Sequence, residues 1–339
     1  MDLSPQYTSY SANSTGDRIK KSPHWDDNEG VAATVGTIMS LMVFLTFMGI
    51  FTNQFVPAWM NDNESTHMSQ VIEQFISLKS SIDVSISYNP NSIVAPSPIF
   101  IPVTLSTPGI PVFAGPTAGI LTLSPDTLNQ IPYFNLTYTW VSTASGSTQI
   151  YNLSGTNDGH SGGDLDLYCP NRYFVEQHVV YECGAVILNQ TDGEFILAGP
   201  QLSIRNMGTP LSPDWVIMMT QVTVKGLNNT IGGVGSKGVT AVLDYADTNT
   251  LSNTLPADPH DLTINIASQH GMAWMEYFNR TFNSSGMQQN SDYTMSYQKV
   301  TTSNPLNDFY KVTIIVHNVG TLDHTRATVT LSIGELGII

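Results

Sequence analysis

The sequence predicts a mainly β protein in which one long N-terminal helix, apolar and then amphipathic, precedes a β-sandwich-type ectodomain. Three observations predict it. Val31 to Phe51 is almost wholly apolar, and no charged residue occurs between Glu29 and Asp62. Val71, Phe75, Leu78 and Ile82 then recur at spacings of 4, 3 and 4, one stripe of a helix. From about Val84 onward, apolar residues alternate with polar ones in short runs punctuated by Gly, Pro, Asn and Asp, the pattern of half-buried strands. Strands this frequent, with polar turns, fit sandwiches rather than βαβ units.

As a helix, the apolar run is roughly 32 Å long, enough for a hydrocarbon core of about 30 Å. A removable secretory signal has a shorter apolar run, about 7–15 residues, and a small-residue exit that is missing here. The span is therefore expected to be retained. Arg18, Lys20 and Lys21 precede it, and no Lys or Arg follows until Lys79. The positive-inside rule then puts residues 1–29 in the cytoplasm as a leader and the rest outside, with Trp25 and Trp59 as interfacial flanks. Ala32, Gly36 and Ser40 form a small-xxx-small stripe that would let a second helix approach closely.

Residues 30–84 thus read as a transmembrane helix plus an amphipathic stem. Pro57 is expected to kink the joint, and Asp62, Asn63 or Ser65 to cap the outer half, whose stripe must dock on its own ectodomain or on a neighbour. Alternating segments from Ser81–Ser87 to Ala327–Ile333 read as strands. Prolines in 89–118 restrict that stretch to edge strands. Ser268 can cap one helix, where Trp274, Phe278 and Phe282 repeat every four residues and are expected in a core. A division near 209–213 gives two β regions, 85–210 and 211–339.

Of 339 residues 12% are charged, yet the net charge is −15 with a pI near 4.6, which argues against a nucleic-acid partner. Ser, Thr and Asn do much of the solvating, a surface suited to acid. Cys169 and Cys183, thirteen residues apart, are expected to form a cross-strand disulfide outside the cell. Eight N-x-[ST] sequons occur. The orientation implies that Asn13 stays bare while glycans are available to Asn63, Asn135, Asn152, Asn189, Asn228, Asn279 and Asn283.

Three motifs invite chemistry and lack its context. Gly159-His160-Ser161-Gly162-Gly163 fits a nucleophile elbow, but a strand rather than a helix follows. Gly233 to Gly238 fits G-x-G-x-x-G, again with a strand after it, so a glycine-rich β-connection is expected. Asp158, Asp164 and Asp166, and likewise Asp258, His260 and Asp261, lack EF-hand spacing and read as turn acids. No metal, cofactor or catalytic residue is expected.

The segment EGVAATVGTIMSLMVFLTFMGIF resembles the N-terminal segments of archaeal flagellins and type IV pilins. Further along, IPVTLSTPGIPVFAGPTAGILTL, CPNRYFVEQHVVYECGAVILNQTDGEFILAGPQLSI and AWMEYFNRTF resemble archaeal pilin-like, membrane-anchored surface proteins, a likeness that covers most of the chain. The resemblance implies a membrane peptidase cutting at Glu29–Gly30 or Gly30–Val31, membrane lipid as surroundings, and like or related pilin-type subunits as partners. Glu29 stands where those leaders usually present Lys or Arg, and the ectodomain is large for a main subunit, which favours an uncut or accessory component. The expected function is a structural, pilin-like cell-surface protein. The alternatives are a monomeric anchored module that binds glycans, envelope components or partners, and a surface enzyme.

Overall fold

The apolar residues from Val31 onward do form a helix: α1 spans Asp27–Ile50. A π-helical turn, Phe51–Phe55, and helix α2, Val56–Tyr88, follow. Pro57 has no N–H to donate back, and the ladder loosens into that π turn just before it. Asp62, Asn63 and Ser65 lie inside α2, so they cap no helix start. The computed structural model describes residues 27–88, 96–127, 131–142, 147–152, 160–209, 212–252, 260–304 and 307–334. It divides into two compact units, Met1–Asn53 and Gln54–Ile339.

The second unit is rich in strands. In chain order they are β1 (Ile99–Thr104), β2 (Ser106–Thr107), β3 (Thr117–Ser124), β4 (Tyr133–Ser142), β5 (Ser147–Asn152) and β6 (His160–Gly162). Then come β7 (Asp164–Cys169), β8 (Gln177–Glu182), β9 (Ala185–Gln190), β10 (Gly193–Ala198), β11 (Leu202–Asn206) and β12 (Trp215–Gly226). After β13 (Asn229–Gly233), β14 (Ser236–Ser252) and β15 (His260–Ser268) comes helix α3 (Gly271–Ser284). Strands β16 (Tyr293–Val300), β17 (Phe309–Val316) and β18 (Val319–Gly334) complete it.

They build three sheets, ordered β1-β14-β18-β12-β11, β10-β9-β8-β7-β3-β13 with β2 beside β3, and β16-β17-β15-β4-β5 with β6 beside β4. Pro102 lies in β1, an edge strand, where its missing N–H costs no central ladder bond. β1 pairs with β14, β3 with β13, and β4 with β15, so strands from either side of residue 210 are neighbours in all three sheets and regions 85–210 and 211–339 are interleaved. Gly233 (φ 141) and Gly235 (φ 89) make the glycine-rich link between β13 and β14.

Two cores share the middle sheet. Along β8, Val179 and Tyr181 enter the first core while Val180 enters the second; along β9, Val186 and Leu188 face the first and Ala185 and Ile187 the second. A strand covered on both faces has to read as a continuous apolar run, as Val186-Ile187-Leu188 does. The first core lies between this sheet and that of β1, β14, β18 and β12, and takes in the α2 stripe; the second holds α3 with Trp274, Phe278 and Phe282.

Two local expectations are corrected. Ser81–Ser87 is the end of α2 and not a strand: Ile82 and Ile86, four apart, are buried, whereas Val84 is exposed. The alternation Ile-x-Val-x-Ile fitted either period, and the buried helical stripe decided it. The cap of α3 is His270, with no side-chain bond to the helix start. Glu194 of β10 accepts from the Ala273 N–H (3.2 Å) instead, while Ser268 Oγ accepts from the His270 N–H (2.9 Å).

The expected disulfide is also corrected: Cys169 and Cys183 are both buried, free thiols. Cys169 ends β7 opposite Gln177, whereas Cys183 follows Glu182 at the other end of the same hairpin. Five strand residues separate those ends, on the order of 17 Å, far beyond the roughly 7 Å Cα limit for a bridge. The thiols also belong to different cores. Cys183 (φ 50) and Gly184 (φ 84) form the two-residue turn between β8 and β9, a position that requires positive φ.

That hairpin holds an acid pair. Asp164 and Glu182 are directly opposed across β7 and β8, and Glu182 is buried and accepts from Trp274 Nε1 at 2.8 Å. Burial and then the Glu182 charge push the Asp164 carboxyl up to about 7. The folded protein therefore keeps a proton that the unfolded chain, near 3.8, has released. The stability this group allows is fully present below about pH 4 and falls as pH rises to about 7. Asp164→Asn should raise the melting temperature more at pH 8 than at pH 4, flattening the decline across that window; an equal shift at both values in thermal melts would contradict the assignment.

Candidate functional site

The feature with functional content is the helical run itself, which has two unlike surroundings. In α1, Leu41, Met42, Val43, Phe44 and Leu45 are consecutive and all exposed, so apolar surface runs right round the helix. An 18-residue window has a mean hydropathy of 2.0, long and apolar enough to cross a membrane. Its polar side chains are turned inward: the hydroxyls of Thr34, Thr37, Thr46 and Thr52 donate to carbonyls three or four residues back, at 2.6–3.0 Å. Asn53 Nδ2 does the same to Gly49 O at 2.8 Å. This is how polar groups are satisfied where water is scarce. Ala32, Gly36 and Ser40 are exposed, and nothing lies within 4 Å of where a Gly36 Cβ would stand. The Glu29–Gly30 peptide falls in the first turn of α1.

In α2 the environment reverses. Val71, Phe75, Leu78 and Ile82 are fully buried in the first core, so the stripe docks on the chain's own β-rich head. At about 2 kcal/mol per fully buried large apolar side chain, this face is a major part of the head's cohesion. Polar side chains on the same helix fix its register. The buried Glu64 carboxylate accepts from the backbone N–H groups of Arg172 (3.1 Å), Tyr173 (2.7 Å) and Phe174 (2.7 Å) and from the Thr117 hydroxyl (3.3 Å). His67 bonds Thr104 O through Nε2 (2.9 Å) and Thr107 Oγ1 through Nδ1 (3.1 Å). Burial holds the His67 imidazole below its ordinary pKa, which favours the neutral ring that such a pairing uses. Gln74 exchanges two bonds with Thr104, at 3.0 and 3.2 Å. Lys79 and Asp83 pair one turn apart at the far end of this face.

Sequence reasoning found the apolar stripe but missed Glu64, His67 and Gln74. Their spacings of three and seven, in step with Val71 and Leu78, were the available signal. A polar residue in register with an apolar stripe needs a partner waiting for it: for Glu64 a loop more than a hundred residues away, for His67 and Gln74 the strand end at Thr104.

The remaining motifs sit in strands and in pairs between strands. Ser161 lies in strand β6, buried, donating to Phe134 O (3.4 Å) and accepting from Gln221 Nε2 (3.4 Å). His160 points instead at Asp126 (2.8 Å) and Asn135 (3.2 Å). No imidazole reaches the serine among the described residues, and Gly159 lies outside them. Asp166 pairs with His178, and Asp261 with His317. Asp158 and Asp258 lie outside the described residues. Among the described residues no group of three His, Cys, Asp or Glu is placed to hold a metal.

The sequon asparagines differ in room. Asn228 is exposed in the turn after β12, and Asn283 is exposed near the end of α3, where its Oδ1 accepts from the Tyr293 hydroxyl (3.1 Å). Asn63, Asn135, Asn189 and Asn279 are half-buried, and Asn135 Oδ1 is engaged with His160. Asn13 and the Asn152 side chain lie outside what is described. Comparison with protein-family models, curated proteins and solved structures gave no match.

Replacing Glu64 by Ala strands three N–H groups and one hydroxyl in a buried seat. Glu64→Ala should destabilise the head by about 3 kcal/mol, and Glu64→Gln, which retains an acceptor, by less. Chemical denaturation followed by tryptophan fluorescence measures both; equal losses would show that packing, not the acceptor, holds this point.

Proposed function

We propose that the chain is a single-pass, membrane-anchored surface protein of pilin-like kind, a subunit or accessory component of an archaeal surface filament. In this reading the N-terminus is cytoplasmic, α1 sits in lipid, and the β-rich head faces outward. The observation that carries it is the change of surroundings along the helical run. The head supplies a tailored seat for α2, whereas α1 is exposed and mainly apolar all round, a surface for lipid or like helices to cover. A plain anchor needs hydrophobicity alone. What favours assembly is that α2 belongs to the head's own core, which couples the anchor to the head's structure, and that small residues on α1 leave an open path for a second helix.

The charge order supports the direction: Arg18, Lys20 and Lys21 before the span, none soon after. A surface role of this kind involves no chemical step. Exposed Asn228 is the sequon best placed to carry a glycan.

The test joins two readouts. In mass spectrometry of the mature protein, an N-terminus at Gly30 or Val31 supports a processed pilin-like subunit; an intact leader would reduce the reading to an anchor. Gly36→Leu should lower assembly, measured by cross-linking in native membranes, by about tenfold without changing the amount in the membrane fraction. Unchanged cross-linking would remove helix packing from the account.

A further inference from the structure

On the head, away from α2, a cleft of about 820 Å³ opens beside α3. That is within the size range of small-molecule sites. One wall is the face of α3 formed by Met272, Met275, Glu276 and Asn279, positions three, four and seven apart. The β9–β10 hairpin, the β15–α3 turn and strands β16 and β17 supply the others. The geometry points to a binding site for an uncharged saccharide, a ligand that the proposed anchoring and assembly do not require.

Three features select that chemistry. First, the lining is rich in carboxamides: Asn189, Gln190, Gln269, Asn279 and Gln289. Each amide presents a donor and an acceptor side by side, which matches vicinal hydroxyls that both give and take hydrogen bonds. The local geometry aims one of them: Asn279 Oδ1 accepts from the Tyr293 hydroxyl (2.7 Å), which leaves its NH₂ group for the cleft.

Second, the lining carries two tyrosines, Tyr297 and Tyr310. Tyr297 on β16 is 55% exposed, and its ring centroid is 6.4 Å from that of Tyr310 on β17, tilted by 56°. A half-bare tyrosine at a cleft wall offers a flat apolar face with a polar tip, the surface on which the C–H face of a sugar ring stacks.

Third, the charges exclude other ligands. No Lys or Arg lines the cleft, and Lys299, whose ammonium lies 6.0 Å from the Tyr310 ring centroid, is already paired with Asp308 at 3.4 Å, so phosphate or carboxylate groups would meet no unpaired lysine or arginine there. Glu194 and Glu276 are the acids. Both Glu194 oxygens are already used, by His270 Nδ1 (3.1 Å) and the Ala273 N–H (3.2 Å), which leaves one carboxylate, too few to cage a cation.

The saccharide has two possible sources, because Asn189 and Asn279 are themselves sequon residues. The test uses the full chain made in a host without N-glycosylation and held in a detergent with no sugar headgroup. Saturation-transfer NMR is run with hexasaccharides of glucose, mannose and N-acetylglucosamine. Transfer to ring C–H protons of at least one is expected, falling at least fivefold in Tyr297→Ala, a variant of an exposed residue whose thermal melt should match the parent. No transfer from any of the three, or a smaller loss in the variant, overturns the proposal. The same measurement on protein from its native cells separates the sources: persistent transfer marks a site open to external sugar, and its loss marks a cleft occupied by the chain's own glycan.

Discussion

The fold rests on the seating of α2 between two sheets. Val71, Phe75, Leu78 and Ile82 supply the apolar surface that closes the first core, and without that surface the inner faces of β1, β14, β8 and β9 would lose their cover. Apolar burial alone fixes neither depth nor rotation, because it is non-directional. Glu64, His67 and Gln74 supply direction. Each meets partners set by backbone geometry: a run of three N–H groups at residues 172–174, or Thr104 at the end of an edge strand. A one-residue rotation of the helix would strand them all, and buried unpaired groups of this kind cost on the order of 1–3 kcal/mol each.

A second constraint ties the cores to each other. Strand β12 gives Trp215, Ile217 and Met219 to the second core and Val222 and Val224 to the first, so the buried parity changes sides in mid-strand. Its parallel neighbour β18 does the same, from Leu322 to Ala327. At the crossing point neither face can be apolar throughout, and polar groups fill the change. His324 Nε2 donates to Gln221 Oε1 (2.6 Å), and Gln221 Nε2 donates to Phe134 O (3.0 Å). Burial, with Arg326 nearby, brings the His324 imidazole down to about 4, so it sits there neutral. Ser161 of the serine-containing glycine motif belongs to this junction, where it accepts from Gln221 Nε2.

Much of this was legible in the residues. The helical stripes at 71–82 and 274–282, the edge character of Pro102, and most strands follow from period and punctuation, because local side-chain spacing and burial express the same geometry. What was hidden depends on partners distant in sequence. The pairing of β3 with β13 and β4 with β15 crosses more than a hundred residues, and no local pattern announces it. Cys169 and Cys183 looked like a bridge because spacing says nothing of which end of a hairpin each occupies. Nothing local marks Glu64 as buried, since the N–H groups that receive it lie in the loop after β7. The amide-lined cleft was invisible for the same reason: its walls are four segments spread over residues 189–310.

The position of α2 has a mechanical consequence. Because the helix is gripped from both sides and also held by Glu64 near its beginning, a pull on the chain at Val56 meets resistance over the whole buried length, through Ile86. Contacts loaded lengthwise must give way together, while contacts peeled from one edge give way in turn. The head is thus built to bear tension along its own first helix.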